Sequence, residues 1–216
     1  MFPDDIVSLI LQAIPAEKIF LLGTTKSFIK TESVYFETIA GKNPLVRYYI
    51  LILIPKEVDQ NFSIVQEIIE GRCMEICPVT VLAMQMEMFN EWLEAGHPFA
   101  VPIKLNAKLL FDKGNIPLVI HHPVNRGALK SFNKIHFSKG INRMQELMKA
   151  NEFYEAAICG LQTLIKTSVS IEVETMDFEK LVYYSRITFP ELPIEFSDKK
   201  SFALKLETML QLLQMQ

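Results

Sequence analysis

Lys18-Ile19-Phe20-Leu21-Leu22-Gly23-Thr24-Thr25 and Arg47-Tyr48-Tyr49-Ile50-Leu51-Ile52-Leu53-Ile54-Pro55 are the two runs that decide how this chain is read. Each is short, apolar and rich in β-branched and aromatic residues, with turn-forming residues at its ends. That combination predicts buried strands rather than helix. The second run shows no polar–apolar alternation, so it is expected to be central and buried on both faces. Gly23 marks a backbone position where a turn or a close approach is wanted. Between the runs, Val34 and Phe36 share one face of an alternating segment, Ser33 to Ile39, and Gly41-Lys42-Asn43-Pro44 is a turn cluster. The spacing predicts a hairpin from Ser33 to Ile54 with a loop longer than two residues.

Outward from these runs, Asp4 or Asp5 can cap a first helix with Ile6, Leu9, Ile10 and Ile14 on one face, ended by Pro15. Val58 to Glu70 is predicted as a helix that turns Phe62, Val65, Ile68 and Ile69 inward and stops at Gly71. Glu75 to Met84 reads as a strand that starts at or after Pro78, or runs at a sheet edge. Glu87 to Ala95 is a short helix, broken by Gly96-His97-Pro98. Phe99 to Ile103 follows, and then a last strand and turn from Asn106 to Gly114. Alternating strands and helices over residues 1–118 predict an α/β (α+β) domain with a mixed sheet.

Residues 119–135 are predicted as a linker, because prolines, histidines, asparagine and glycine gather between Ile116 and Arg126. Residues 136–216 show only helical periodicity. His136 to Ala150 carries Ile141, Met144, Leu147 and Met148 on one stripe. Asn151 can cap a second helix lined by Ala156, Ala157, Gly160, Leu161, Leu164 and Ile165. A third helix runs from Phe178 to Phe189, begun by Thr175 or Asp177. A fourth, capped by Ser197, turns Phe202, Leu206, Met209, Leu210 and Leu213 inward. An all-α up-down bundle is the expected architecture.

Composition bounds the function classes. Half of the 216 residues are apolar and 22% are charged, which is ample material for a core. The longest apolar run, Tyr48 to Ile54, falls far short of the roughly 18 residues that span a bilayer. The start, Met1-Phe2-Pro3-Asp4-Asp5, carries acids and no early base, unlike a secretory signal. A soluble, cytoplasmic protein without membrane contact is expected. Cys73, Cys77 and Cys159 are too sparse for a disulfide framework, and Cys73-x-x-x-Cys77 lacks the further ligands a metal site needs, so no metal and no cofactor are expected. The net charge of −3 hides an asymmetry: residues 1–103 carry −6, 104–149 carry +7 and 150–216 carry −4. This basic belt, chiefly Lys104, Lys108, Arg126, Lys130, Lys134 and Arg143, can meet an anionic partner or can hold the two domains together electrostatically. Any nucleic-acid contact through it is expected to be weak and salt-sensitive.

Three motifs carry a resemblance. Leu21-Leu22-Gly23-Thr24 and Leu109-Leu110-Phe111-Asp112 resemble the first turn and the closing piece of the minimal nucleotidyltransferase (polymerase-β-like) fold. Tyr154-Glu155-Ala156-Ala157-Ile158-Cys159-Gly160-Leu161-Gln162-Thr163 is similar to the helix of HEPN domains that runs through two alanines to His-Gln-Ala, with leucine in the place of the histidine. The resemblance implies a nucleotidyltransferase-like domain fused to a HEPN-like helical domain, with homodimers formed through the C-terminal helices.

The catalytic residues of both families are missing. Transferases of this kind hold two Mg²⁺ ions with an Asp-x-Asp strand and a third acid. Arg47 to Pro55 holds no acid and neither does Ile76 to Met84; Glu57 and Asp59 lie beyond the strand. HEPN ribonucleases use arginine and histidine near the domain's end, and Ser201 to Gln216 has neither. The expected function is therefore a catalytically inactive binding or regulatory module. The alternative is an active nucleotidyltransferase or HEPN ribonuclease with displaced residues. Gly23, Thr24, Thr25 and Lys26 are the candidates for holding a nucleotide or other anion through backbone N–H groups, hydroxyls and a lysine. His121-His122 reads as linker.

Overall fold

The computed structural model describes residues 3–27, 30–33, 36–40, 45–56, 58, 61–125, 134–169, 176–192 and 198–215. The chain divides into two compact units, Met1–Trp92 with Lys104–Ile120, and Leu93–Ile103 with His121–Gln216. The division falls inside α3 (Met86–Glu94) and α4 (Ala100–Asn106). Segment 93–103, which the sequence places in the first domain, thus groups with the helical unit. Phe99 to Ile103 is mostly helical, as the start of α4.

In the first unit, α1 (Pro3–Ala13) precedes β1 (Lys18–Ser27), β2 (Lys30–Ser33), β3 (Phe36–Ala40) and β4 (Leu45–Ile54). After these come α2 (Phe62–Cys73), β5 (Val79–Gln85) and β6 (Lys108–Asp112). Four strands form a mixed sheet in the order β5-β4-β1-β6. β4 runs parallel to β5 and antiparallel to β1, and β1 is antiparallel to β6. β4 is central and fully buried from Tyr49 to Ile54, as its unbroken apolar run requires. Pro78, which cannot donate to a ladder, lies just before β5.

The predicted hairpin does not form. β3 pairs with β2 in a separate two-stranded ribbon, and the partner of β4 is β1, in register from Lys18↔Leu53 to Ser27↔Leu45. β1 is longer than its apolar run because a bulge between Leu21 and Gly23 lets the polar Thr24 to Ser27 continue the ladder.

One sheet face is covered by α1 and α2. Ile6 and Ile10 of α1, Ile14 just after it, and Val65, Ile69 and Cys73 of α2 pack on Ile19, Ile50, Ile52, Ile54, Val79, Val81 and Ala83. The alternate residues of the strands point to the other face, where Phe89 of α3 stacks on Phe20 at 6.4 Å between ring centres. α2 differs from expectation in three ways. It begins at Phe62 rather than Val58, it runs through Gly71 to Cys73, and Ile68 faces outward, 46% exposed. Its doublets Ile64–Val65 and Ile68–Ile69 offer two apolar stripes, and only the Val65–Ile69 stripe meets the sheet.

The second unit contains α5 (Lys134–Lys149), α6 (Phe153–Val169), α7 (Phe178–Thr188) and α8 (Lys199–Met215). Ile141, Met144, Leu147, Ala156, Ala157, Leu161, Leu164, Ile165, Leu181, Tyr184, Phe202, Leu206 and Leu210 are among its buried apolar residues. Asn151 ends α5 rather than capping α6. At φ 62° it is left-handed, its N–H bonds Met148 at 3.0 Å, and Glu152 N–H bonds Leu147 at 2.9 Å. Asp198 caps α8: its carboxylate accepts from the N–H groups of Lys200 and Ser201 at 3.0 and 3.3 Å. Ser197 and Thr175 lie outside the described residues. Asp177 caps α7.

Glycines let these helices approach closely. A Cβ at Gly140 would come within 2.1 Å of the Thr163 hydroxyl, so α5 and α6 cross there, and one at Gly160 would strike Leu206 and Met144 at 2.7 Å. Gln145 bonds Glu207 at 2.9 Å. These contacts, with Gln214 donating to the Ser138 hydroxyl at 3.4 Å, make α5 antiparallel to both α6 and α8, so α6 and α8 run the same way. Simple up-down alternation fails between α6 and α7. Phe178 at the start of α7 lies 5.6 Å from Tyr154 at the start of α6 and 6.0 Å from Phe202 near the start of α8.

Candidate functional site

The register of β1 on β4 fixes the surroundings of the anion-binding candidates. Gly23 lies opposite Tyr49, Thr24 opposite Tyr48, Thr25 opposite Arg47 and Lys26 opposite Val46. These four residues are strand, not a turn, and pair with β4 along one edge. On the other side of β1, pairing with β6 ends at Leu21. β5 continues the row, with Val79 beside Tyr48 and Thr80 beside Tyr49. No Asp or Glu occurs among Gly23–Ser27, Leu45–Ile50 or Val79–Val81.

Tyr49 is 0% exposed, and Thr80 beside it is buried as well. Tyr48 is half-buried against the α1–α2 core. Burial holds the Tyr48 phenol above its ordinary pKa, and Cys77 adds to the effect. The two tyrosines thus occupy opposite sheet faces, as adjacent strand residues must. Glu57 and Asp59 lie outside the described residues.

The closing piece is joined to β1 by charges. Lys18, 3% exposed, donates its ammonium to Asp112 at 2.5 Å. That hydrogen bond is the main cause holding the Asp112 carboxyl below its ordinary range; desolvation opposes it. Buried Glu17 accepts from the N–H groups of Asn115 and Ile116, both at 2.7 Å, and its own backbone bonds Leu53 and Lys113. Glu17, Lys18 and Asp112 therefore clasp β6 and its turn to the start of β1. Sequence reading missed this role for Glu17 and Lys18. The signal was a charged pair directly before a strand core.

The basic belt is divided. Lys104 donates to the carbonyl of Val119 and Lys108 is exposed on β6, both in the first unit. Arg143, in the second, pairs with Glu146 at 3.2 Å on an exposed face. Lys134 opens α5, and Arg126 and Lys130 lie outside the described residues.

Cys73 and Cys77 are buried in the α1–α2 core. Burial first, then Cys77 and Glu70, push the Cys73 thiol up to about 11, which suits a packed thiol and not a nucleophile. Glu70 is committed to the backbone, accepting from Val81 N–H on the edge strand at 2.9 Å. Among the described residues, no group of three or more His, Cys, Asp or Glu could hold a metal ion, and no helix is long and apolar enough to cross a membrane.

His97 is the most perturbed imidazole. It is buried, accepts from Phe99 N–H at Nδ1, and faces the backbone of Ser168 near the end of α6. Burial lowers it to about 4, against the opposing effect of the nearby Ser168 backbone. It is a neutral brace within the second unit. The HEPN-similar segment forms the first half of α6, with Ala156, Ala157 and Leu161 buried and Gly160 against α8. Compared with known protein families, curated proteins and solved structures, the chain matches none.

Proposed function

We propose that this chain is a catalytically silent binding or regulatory module, nucleotidyltransferase-like in its first part and HEPN-like in its second. The observation that carries the reading is the row opposite Gly23. Where the resembled transferases hold metal-binding acids, β4 offers Arg47, Tyr48 and Tyr49, and the ring of Tyr49 is wholly buried. A two-metal site needs several carboxylates around ions about 4 Å apart. A buried phenol supplies no charge for a Mg²⁺ that must shed water to enter. The reading includes weak, salt-sensitive contact with nucleic acid or nucleotide, and self-association. The sequence places that self-association on the C-terminal helices, where Leu204 and Leu212 of α8 are the exposed aliphatic residues among those described.

The test offers the protein labelled nucleoside triphosphates with Mg²⁺ or Mn²⁺ and follows pyrophosphate release. No turnover above background is expected. Metal-dependent turnover abolished by neutralising Glu57 or Asp59 would overturn the reading.

A further inference from the structure

The outward face of α2 carries an apolar stripe that the core does not use. Ile64 is 55% and Ile68 46% exposed, and with Ala13, Asn61 and Val65 they line a cleft of about 300 Å³. Gly71 continues the stripe. It lies inside the helix, yet a Cβ there would meet nothing within 4 Å. Glycine weakens a helix relative to alanine, and no described neighbour of this chain needs its missing side chain. Asn61, Ile64, Ile68 and Gly71 follow the three-four-three spacing of a seam between two parallel helices. Exposed Glu67 flanks that seam on one side and exposed Arg72 on the other. They are five residues apart, the offset at which opposite flanks of parallel helices meet.

We propose that α2 docks a second copy of this chain. The two α2 helices lie in parallel about a two-fold axis, with Ile64 and Ile68 as the apolar seam and Gly71 as the point of closest approach. Glu67 faces the partner subunit's Arg72, and Arg72 faces the partner subunit's Glu67. The charge pattern selects the occupant, because one helix supplies both halves of each ion pair. It also selects the orientation, because an antiparallel pair would set like charges side by side on each flank. The interface is independent of the catalytic silence of the proposed function and is an alternative to its C-terminal self-association; Ile68→Asp tells the two interfaces apart, and nucleotide turnover bears only on the silence.

The experiment measures the mass of the full chain by light scattering and sedimentation up to tens of micromolar, with circular dichroism to verify folding. Wild type is expected to reach twice its chain mass of 24.8 kDa. Ile68→Asp, at an exposed position, is expected to weaken association by about tenfold or more. Glu67→Arg and Arg72→Glu are each expected to weaken it by about threefold or more, and the double swap to restore it. A wild-type monomer at tens of micromolar would overturn the proposal and leave the cleft to a different protein or an apolar small molecule. A dimer indifferent to Ile68→Asp would overturn it by moving the interface elsewhere, α8 included. A double swap no stronger than the single variants would refute the parallel arrangement.

Discussion

Lys18 in the first unit and Gly140 in the second both stand where two elements meet closely, and they meet the demand by opposite means. Lys18 brings a charge to the start of β1, where Asp112 answers it, while Glu17 beside it caps the turn after β6. Gly140 brings no side chain, so Thr163 of α6 can occupy the space. Polar groups with partners tie the sheet's outer strand in place, whereas missing atoms set the helix crossings. Removing a partner should therefore damage the first unit most, and adding an atom should damage the second.

The sharpest way to break this contrast uses two left-handed glycines. Gly96 in the second unit has φ +70°, and a Cβ there would lie 2.2 Å from the Pro123 carbonyl oxygen; Gly114 in the first has φ +82° with nothing within 4 Å. Gly96→Ala should cost about 4 kcal/mol by urea denaturation, since backbone must move, and Gly114→Ala only about 1 kcal/mol. Equal costs would show that backbone conformation alone, not close approach, governs both sites.

His97 gives the next largest effect, and it is pH-dependent. Its folded pKa is lowered from 6.5 to about 4, so between these values the unfolded chain binds the proton more readily. This contribution to stability is complete above about pH 6.5 and falls by about 3 kcal/mol as pH drops towards 4. Subtracting the pH profile of His97→Gln from that of wild type isolates it. Identical slopes would mean that the imidazole is not held neutral by burial.

On the sheet side, Asp112→Asn leaves the Lys18 ammonium buried beside a neutral amide. The expected cost is about 2 kcal/mol, less than a fully buried pair would lose, because the Asp112 side chain is 40% exposed. Lys18→Met should cost less, since it removes the buried charge itself, and the reverse order in thermal unfolding would reject the clasp. The smallest effect is Asp177→Ala at the α7 cap, about 1 kcal/mol, read from the same melts.

Much of this architecture was legible along the chain. β4 has no polar alternation, and an apolar strand without a wet face can only be central. Asp177 before Phe178, and Pro78 before β5, announced element starts through local backbone chemistry. The site was less legible. Gly23-Thr24-Thr25-Lys26 reads as a polar turn because a bulged strand and a turn share the same residue types. Ile68 was placed inward because Ile68 and Ile69 are equivalent until something chooses which stripe meets the sheet.

The sequence by itself determined the burial of β4, the helices of the described residues from 136 onward, and the absence of acids from the β4 run, since periodicity and residue chemistry are local. Only the tertiary structure decided that β1, not residues 33–39, pairs with β4, that α7 begins beside the start of α6, and that Tyr49 lies buried opposite Gly23. Pairing partners and helix direction depend on contacts between residues far apart in the chain. Such contacts are chosen by the free energy of the whole packed unit, to which each local segment contributes only a part.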